Sequence, residues 1–194
     1  EHFDNLIWYK GRADMVALLY PYYYSKMAYD GFKSIGRDDI ITLTRCAYLG
    51  SQKFGSLVWS GDIESTFESL ACQVKAGLNM SMCGIPWWNT DIGGFYGADI
   101  TSDYFKELIV RWFQFGLFSP VMRLHGSRNR HFEPTPGLKE PSGDPNEIWS
   151  FGEKNFEILK NLIFIREKLR PYIQTQMDIA SEKGYPVMRP MFFE

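Results

Sequence analysis

The sequence has little net charge, few cysteines and no long apolar run, and each shortage excludes a class of protein. Its 21 basic and 23 acidic residues leave a formal net charge of −2 at pH 7, which gives no reason to expect binding to nucleic acid or to an anionic membrane. Charged residues interrupt every apolar run before it reaches the roughly 20 residues of a membrane span. We therefore expect neither a nucleic-acid partner nor a membrane partner.

The chain also lacks the usual marks of a secreted, metal-binding or nucleotide-binding protein. No leader segment is visible, and the first residues include no initiator methionine. The three histidines do not combine with carboxylates at a metal-ligand spacing, and no glycine-rich fingerprint follows a first strand. No G-x-S-x-G elbow occurs either. We expect no metal and no cofactor.

Cysteine usage is low and irregular. Cys46, Cys72 and Cys83 are an odd number without metal-ligand spacing. They lie in apolar runs, so we expect small buried hydrophobic residues and no disulfide framework. Unpaired cysteines and the missing leader favour the cytoplasm but leave the compartment open.

Hydrophobic residues make up 45% of the chain and aromatics 16%, which suffices for a sizeable core. Hydrophobic periodicity and turn residues predict an alternation of helices and strands. The predicted helices cover about 12–36, 63–76 with Gly77 as its stop, a segment starting at Ser102 or Asp103, and 155–169 with a break at Pro171 before resuming to 180. In the third of these helices, helical spacing places Phe105, Leu108, Ile109, Trp112 and Phe113 on one apolar face. The predicted strands cover 40–45, 55–59, 79–85 and 117–124, and a long polar loop covers 126–147. The first strand is apolar on both alternations until Arg45, which suits a parallel strand buried on both faces. Apolar strands that alternate with helices favour a parallel sheet, and four strands suit half of an eight-stranded barrel.

Charged and aromatic side chains collect where the four predicted strands end. They are Arg45, Trp59 with Asp62, Trp87 and Trp88 with Asp91, and Arg123 with His125. In a parallel barrel this edge carries the active site. Core packing alone hardly explains four such placements in succession.

Each of these residues also has a structural interpretation. Asp62 could cap the helix that follows it, and Arg45 could form an ion pair with Asp62 or Asp91. Asp91 could be a turn former, and His125 a satisfied polar residue at a strand end. Some tryptophans, and Phe95, could belong to the core. Residue spacing does not decide between these alternatives.

Taken together, the residues favour a site for a sugar. Aromatic faces stack on sugar rings, while charged side chains bind hydroxyl groups. A carboxylic acid can protonate a glycosidic oxygen. Gly61 and Gly93-Gly94 would let the backbone approach a ligand closely.

Several segments, in order along nearly the whole chain, resemble glycoside hydrolase family 31, the α-glucosidases and α-xylosidases. The segments are Thr44-Arg45 with Gly50-Ser51-Gln52-Lys53-Phe54, Trp59-Ser60-Gly61-Asp62, Gly84-Ile85-Pro86 through Asp91-Ile92-Gly93-Gly94-Phe95, Arg123-Leu124-His125-Gly126, Leu169-Arg170-Pro171-Tyr172 and Pro186-Val187-Met188-Arg189-Pro190. The resemblance implies an α/β fold, the C-terminal half (about strands 5–8) of a (β/α)8 TIM barrel. It also implies a retaining mechanism through a covalent glycosyl-enzyme.

Residue roles follow from the resemblance. Asp62 would be the general acid and then the general base. Arg45 and His125 would bind hydroxyls of the sugar in the −1 subsite, and Asp91 would join their hydrogen-bond network. The aromatic residues that would shape this subsite are Trp59 and Phe95.

One departure from the family pattern concerns the nucleophile. A retaining site needs two carboxyl groups about 5 Å apart, and the family's Trp-x-Asp-x-x-Glu segment does not occur here. We therefore expect residues 1–194 to be a partial catalytic barrel domain of a larger multidomain enzyme, inactive in isolation. The expected substrates are oligosaccharides or α-glycosides with terminal glucose or xylose. An unpaired sheet edge could also support self-association.

Two alternatives stay open. The chain could be a non-catalytic carbohydrate-binding or structural half-barrel. It could also carry an α-galactosidase specificity, or another one, on the same scaffold.

Overall fold

The computed structural model describes residues 5–129 and 145–193, and the chain divides into two compact units, Glu1–Val58 and Trp59–Glu194. The first unit opens with an antiparallel pair, β1 (Ile7–Trp8) and β2 (Gly11–Arg12). Helix α1 (Ala13–Val16), a 3-10 turn (Ala17–Leu19) and helix α2 (Tyr20–Ser34) follow. The predicted helix is confirmed. Pro21 lies in the first turn of α2, where a missing N–H needs no partner.

Two parallel strands follow, β3 (Thr42–Thr44) and β4 (Ser56–Trp59), with Leu43 opposite Leu57. A 3-10 turn, Ser51–Phe54, lies between them. The first unit ends at Val58, one residue before the end of β4. The predicted parallel pairing is confirmed, but the expectation that the first strand is buried on both faces is wrong. Ile40 is buried, whereas Ile41 and Leu43 are 59% and 45% exposed. Burial alternates with the period of two that a strand imposes, so only one face of β3 is covered.

The second unit contains helix α3 (Phe67–Met82), strand β5 (Trp88–Asn89), helix α4 (Asp103–Phe118), a 3-10 turn (Ile148–Phe151) and helix α5 (Glu153–Lys183). Its segments adjoin in chain order. The amide of Ser60 donates to the carbonyl of Asn89 at 3.2 Å, and Ile92 forms a parallel bridge with Leu124. The α/β architecture is confirmed, although the described residues form no closed barrel.

Helix α3 differs most from prediction. It starts four residues later than predicted, and it runs through Gly77 to Met82, so the strand predicted over 79–85 is wrong. Gly77 does not stop the helix; it packs on Trp88, because a Cβ there would lie 2.8 Å from the indole ring. The helix ends instead before Gly84, at φ +78°. Short apolar runs fit a helix face as well as a strand.

Two further predictions fail near the last helices. Leu117 lies inside α4, so residues 117–124 do not form the predicted strand. They contribute a single parallel bridge, at Leu124. Pro171 does not break α5, which is buried on both sides of it at Leu159 and Ile173. These contacts outweigh the hydrogen bond that proline removes. Most of the predicted loop 126–147, residues 130–144, lies outside the described residues.

Helices α4 and α5 form the core of the second unit. Ser102 caps α4 as predicted, accepting from the amide of Phe105 at 3.2 Å. The buried residues of the cluster are Ile92, Ala98, Ile100, Phe105, Leu108, Ile109, Val110, Trp112, Phe113, Phe151 and Leu159. The predicted apolar face of α4 is therefore confirmed.

Side chains of α5 form hydrogen bonds to backbone carbonyls near both ends of α4. Asn155 Nδ2 donates to the carbonyl of Lys106 at 2.8 Å. Eleven residues further on, Arg166 donates to the carbonyl of Leu117 at 2.7 Å, and also to those of Ser119 and Pro120. Arg166 thus satisfies carbonyls that the end of α4 leaves without helical partners.

The cysteines are free and exposed, so the prediction that they are buried is wrong. Cys72 lies on the outer face of α3 beside the exposed Ala71, Cys83 lies just beyond its last turn, and Cys46 follows β3. Among the described residues, no helix has the length and apolar character needed to cross a membrane.

Candidate active site

Asp62 lies in the loop between β4 and α3, with an exposed side chain. The predicted alternative that it caps the following helix is wrong. Helix α3 begins at Phe67, and its cap is Thr66, whose hydroxyl accepts from the amide of Ser69 at 3.0 Å. The cap of α3 is therefore Thr66 and not Asp62.

Asp91 is fully buried two residues beyond β5 and forms an ion pair with Arg123. Burial raises the pKa of Asp91, while the charges of Arg123 and His125 act in the opposite direction. The carboxylate of Asp62 also raises this pKa by repulsion. Asp91 thus lies within electrostatic reach of both Asp62 and His125.

Phe95 and His125 lie beside each other, with ring centroids 5.6 Å apart and planes inclined by 40°. The amide of Phe95 donates to the carbonyl of Ile63 at 2.7 Å, directly beyond Asp62. Ile92 in turn donates to the carbonyl of Arg123 at 3.2 Å. These backbone contacts join the three loops that carry Asp62, Phe95 and His125.

The tryptophans divide between core and site edge. Trp88 and Trp112 are 3% and 0% exposed and belong to the core, as predicted for some of them. Trp59, at the end of β4, and Trp87 are half-buried. Ser60, beside Trp59, bonds through its hydroxyl to that of Thr90 at 3.3 Å. The predicted subsite aromatic Trp59 thus keeps an accessible face.

Arg45 belongs to the first unit, where it directly follows β3 with an exposed side chain. Its role as a sugar ligand stays a prediction.

The sequence patterns gave two arginines of this region no role. Arg123 is the partner of Asp91. Arg128, 2% exposed, donates to the carbonyls of Ile92 at 3.3 Å, Gly93 at 3.4 Å and Gly94 at 2.8 Å. Burial lowers its pKa to about 10, so it carries its charge at neutral pH. A charged residue in a polar loop normally faces solvent, and no pattern distinguished this one.

Among the described residues, no group of three histidine, cysteine or carboxylate side chains could hold a metal ion. The side chains at this edge supply carboxylic acid, imidazole, guanidinium and aromatic groups. These groups suit proton transfer to a glycosidic oxygen and hydrogen bonding to sugar hydroxyls.

Parallel βα segments whose carboxyl ends carry carboxylate, imidazole and aromatic side chains are typical of the active-site edge of a β/α barrel. The comparison with known families agrees with this kind of fold. Residues 5–176 match the TIM-barrel domain of glycosyl hydrolases family 31. The chain belongs to this family, and the predicted resemblance is confirmed.

Three relatives illustrate the match. A family 31 α-xylosidase from a soil metagenome, solved with xylose, is 48% identical with a TM-score of 0.92, covering 99% of this chain and 29% of that one. An α-xylosidase of Saccharolobus solfataricus is 34% identical over 90% of this chain and 22% of its own length. An α-glucosidase of the same organism is 31% identical over 98% of this chain and 26% of its own length. The chain thus spans about a quarter of each relative's length.

Proposed function

We propose that the chain supplies the acid/base half of the active site of a retaining α-glycosidase that removes terminal α-linked xylose or glucose. It would form about strands 5–8 of the catalytic barrel. The observation that carries the proposal is the buried Asp91, which lies within electrostatic reach of both Asp62 and His125, in a chain that belongs to family 31.

In this mechanism Asp62 first protonates the departing oxygen and then, as a carboxylate, deprotonates the water that releases the sugar. Its exposure allows it to reach a substrate. His125, Arg45 and Asp91 would hold the sugar hydroxyls. Phe95 and Trp59 would pack on the ring.

The second carboxylate would come from a part of the enzyme outside residues 1–194. A retaining mechanism needs that nucleophile about 5 Å from the acid. We therefore expect the 194-residue chain alone to be inactive, and the full-length enzyme that carries it to be active. Turnover of an aryl α-xyloside by the purified chain, lost on Asp62→Asn, would contradict this expectation.

The test of the acid/base role is Asp62→Ala in the full-length enzyme. Activity on glycosides with poor leaving groups should fall about 1,000-fold. Substrates with good leaving groups should lose less, because they need no proton. Azide should restore turnover and yield the α-glycosyl azide, since a small anion attacks the glycosyl-enzyme without a base.

A matched control separates this role from a general effect of charge. Asp103 is another exposed carboxylate, at the start of α4, so Asp103→Ala should leave the rates unchanged. If Asp62→Ala were as active as Asp103→Ala on every substrate, the acid/base assignment would be wrong.

Substrate choice is tested by kcat/KM on aryl α-xylosides, α-glucosides and α-galactosides. The xylose complex of the 48% identical relative favours the α-xyloside. The α-glucoside is the second candidate, because an α-glucosidase matches nearly the whole chain. A preference for the α-galactoside would show a different specificity, and no turnover on any would favour a non-catalytic barrel.

A further inference from the structure

We propose that Arg128 is a positioning residue of this active site, which holds His125 and Phe95 in the geometry that binds the sugar. The proposal rests on the proposed function. It concerns a side chain that does not itself touch substrate, because it is 2% exposed.

The contacts of Arg128 reach the loops on which the candidate site is built. Its Nη atoms donate to the carbonyls of residues 92–94, immediately before Phe95. Its Nε donates to the side chain of Asn146 at 2.8 Å, and Nη1 lies 3.4 Å from the hydroxyl of Ser65. One guanidinium therefore joins the loop after Asp62, the loop before Phe95 and the segment after His125.

Backbone contacts connect Arg128 to Phe95 and His125, the two residues proposed to bind the sugar. Ser127, adjoining Arg128, donates its amide to the carbonyl of Phe95 at 2.6 Å. The ring of Phe95 lies against that of His125. A change in the Arg128 loop would therefore move both rings.

The glycines around this site make room for Arg128. A Cβ at Gly93 would lie 2.9 Å from Arg128 Nη2, and one at Gly126 would lie 2.8 Å from its Cζ. Gly93 and Gly94 also have φ values of +92° and +76°, which other residues rarely adopt. The sequence suggested that Gly93 and Gly94 admit a ligand. The space at Gly93 is instead taken by Ile109 Cδ1 and Arg128 Nη2, and that at Gly94 by the backbone of Glu64 and Ser65.

The ring of Phe105 packs against the guanidinium of Arg128. The guanidinium carbon of Arg128 lies 4.8 Å from the centre of that ring. A planar guanidinium with five donors suits carbonyls in several directions, and lysine cannot replace it. The geometry thus requires arginine and not merely a positive charge.

Arg166 provides a matched control. It is also an arginine of the second unit that donates to three backbone carbonyls, those of Leu117, Ser119 and Pro120, but none belongs to a candidate site loop. Arg128→Met and Arg166→Met should both lower the thermal midpoint of the full-length enzyme. Only the change at Arg128 should alter sugar recognition in the folded protein.

The experiment measures kcat, KM and the inhibition constant for free xylose at a temperature where circular dichroism shows each variant folded. For Arg128→Met we expect kcat/KM to fall about 100-fold, with weaker xylose inhibition. For Arg166→Met we expect both constants within about threefold of the parent enzyme. A merely structural role would lower the apparent kcat and leave KM and xylose inhibition unchanged, because the remaining folded molecules would be normal.

Arg128→Lys is measured in parallel, and it should recover less than a tenth of the lost activity. Equal kinetics for the Arg128 and Arg166 variants would overturn the proposal, as would full rescue by lysine or failure of both Arg128 variants to fold. The result for Asp62→Ala separates the two ideas: if it retains full activity, the proposed function fails first. If it is impaired while Arg128→Met is normal, only the positioning role fails.

Discussion

Removing Arg123 should destabilise the chain far more than neutralising its partner Asp91. Asp91 is fully buried, whereas the side chain of Arg123 is 24% exposed. Arg123→Met leaves a carboxylate in the interior without its cation, at a cost of about 3–5 kcal/mol. Asp91→Asn leaves a guanidinium that reaches water and still donates to an amide oxygen, at a cost of about 1 kcal/mol.

Urea and thermal denaturation measure this difference. For a chain of this size, the larger loss corresponds to a fall of about 10 °C in the thermal midpoint. Arg111→Met is the control, because its ion pair with Glu107 is half-exposed on both sides and should contribute less than about 1 kcal/mol. If Asp91→Asn cost as much as Arg123→Met, the buried, unpaired carboxylate would not be the cause.

The pH dependence gives an independent check. Without Arg123, one of the two largest opposing charges is lost, so burial raises the pKa of Asp91 further. A folded-state pKa above the unfolded value means that the folded state binds more protons between the two. Stability then falls as pH rises through that interval. The deficit of Arg123→Met should therefore shrink when the pH is lowered from 7 towards 4. A deficit that grows on acidification would refute this reasoning.

Three further predictions concern helices. Gly77→Ala should lower the free energy of unfolding by about 1–3 kcal/mol, because its methyl group would meet an indole ring 2.8 Å away. Gly31→Ala, at an open position of α2 with no atom within 4 Å, should raise it by about 1 kcal/mol; urea midpoints distinguish the two. Thr66→Ala should cost about 1 kcal/mol through loss of the cap of α3, as measured by chemical denaturation. Pro171→Ala should raise the thermal midpoint, since it restores a hydrogen bond inside α5 at a gain of about 1–2 kcal/mol; an unchanged midpoint would contradict this.

Local signals predicted the elements whose ends are fixed by neighbouring residues. Ser102 caps α4, and its apolar face is buried as the spacing of Phe105, Leu108 and Trp112 predicts. The parallel pairing of β3 and β4 also follows from the sequence. In each case the determining residues lie within a few positions of the element.

Predictions failed where a distant contact decides. The sequence predicts a helix stop at Gly77, but α3 continues through it because Gly77 packs against Trp88. Pro171 reads as a break, yet buried residues on both sides keep α5 intact. For the site, the sequence pointed to Asp62, Asp91 and His125 as strand-end residues, and Asp91 lies within electrostatic reach of the other two. The burial of Arg128 was not predictable, because it depends on carbonyls more than 30 residues earlier in the chain.

The two hydrogen-bonding contacts from α5 to α4 restrict where the chain can gain or lose residues. Asn155 and Arg166 are eleven positions apart on α5, and the carbonyls that they bind, those of Lys106 and Leu117, are eleven apart on α4. Because residue numbers rise together in the two contacts, the helices run in the same direction. Eleven residues span about 16 Å in a helix, so the two contacts require the same spacing on both helices. An insertion or deletion of one residue between the two contacting positions of either helix would rotate one position relative to the other by about 100° around the helix axis. Length variation among related chains should therefore fall outside 106–117 and 155–166, or change both helices together.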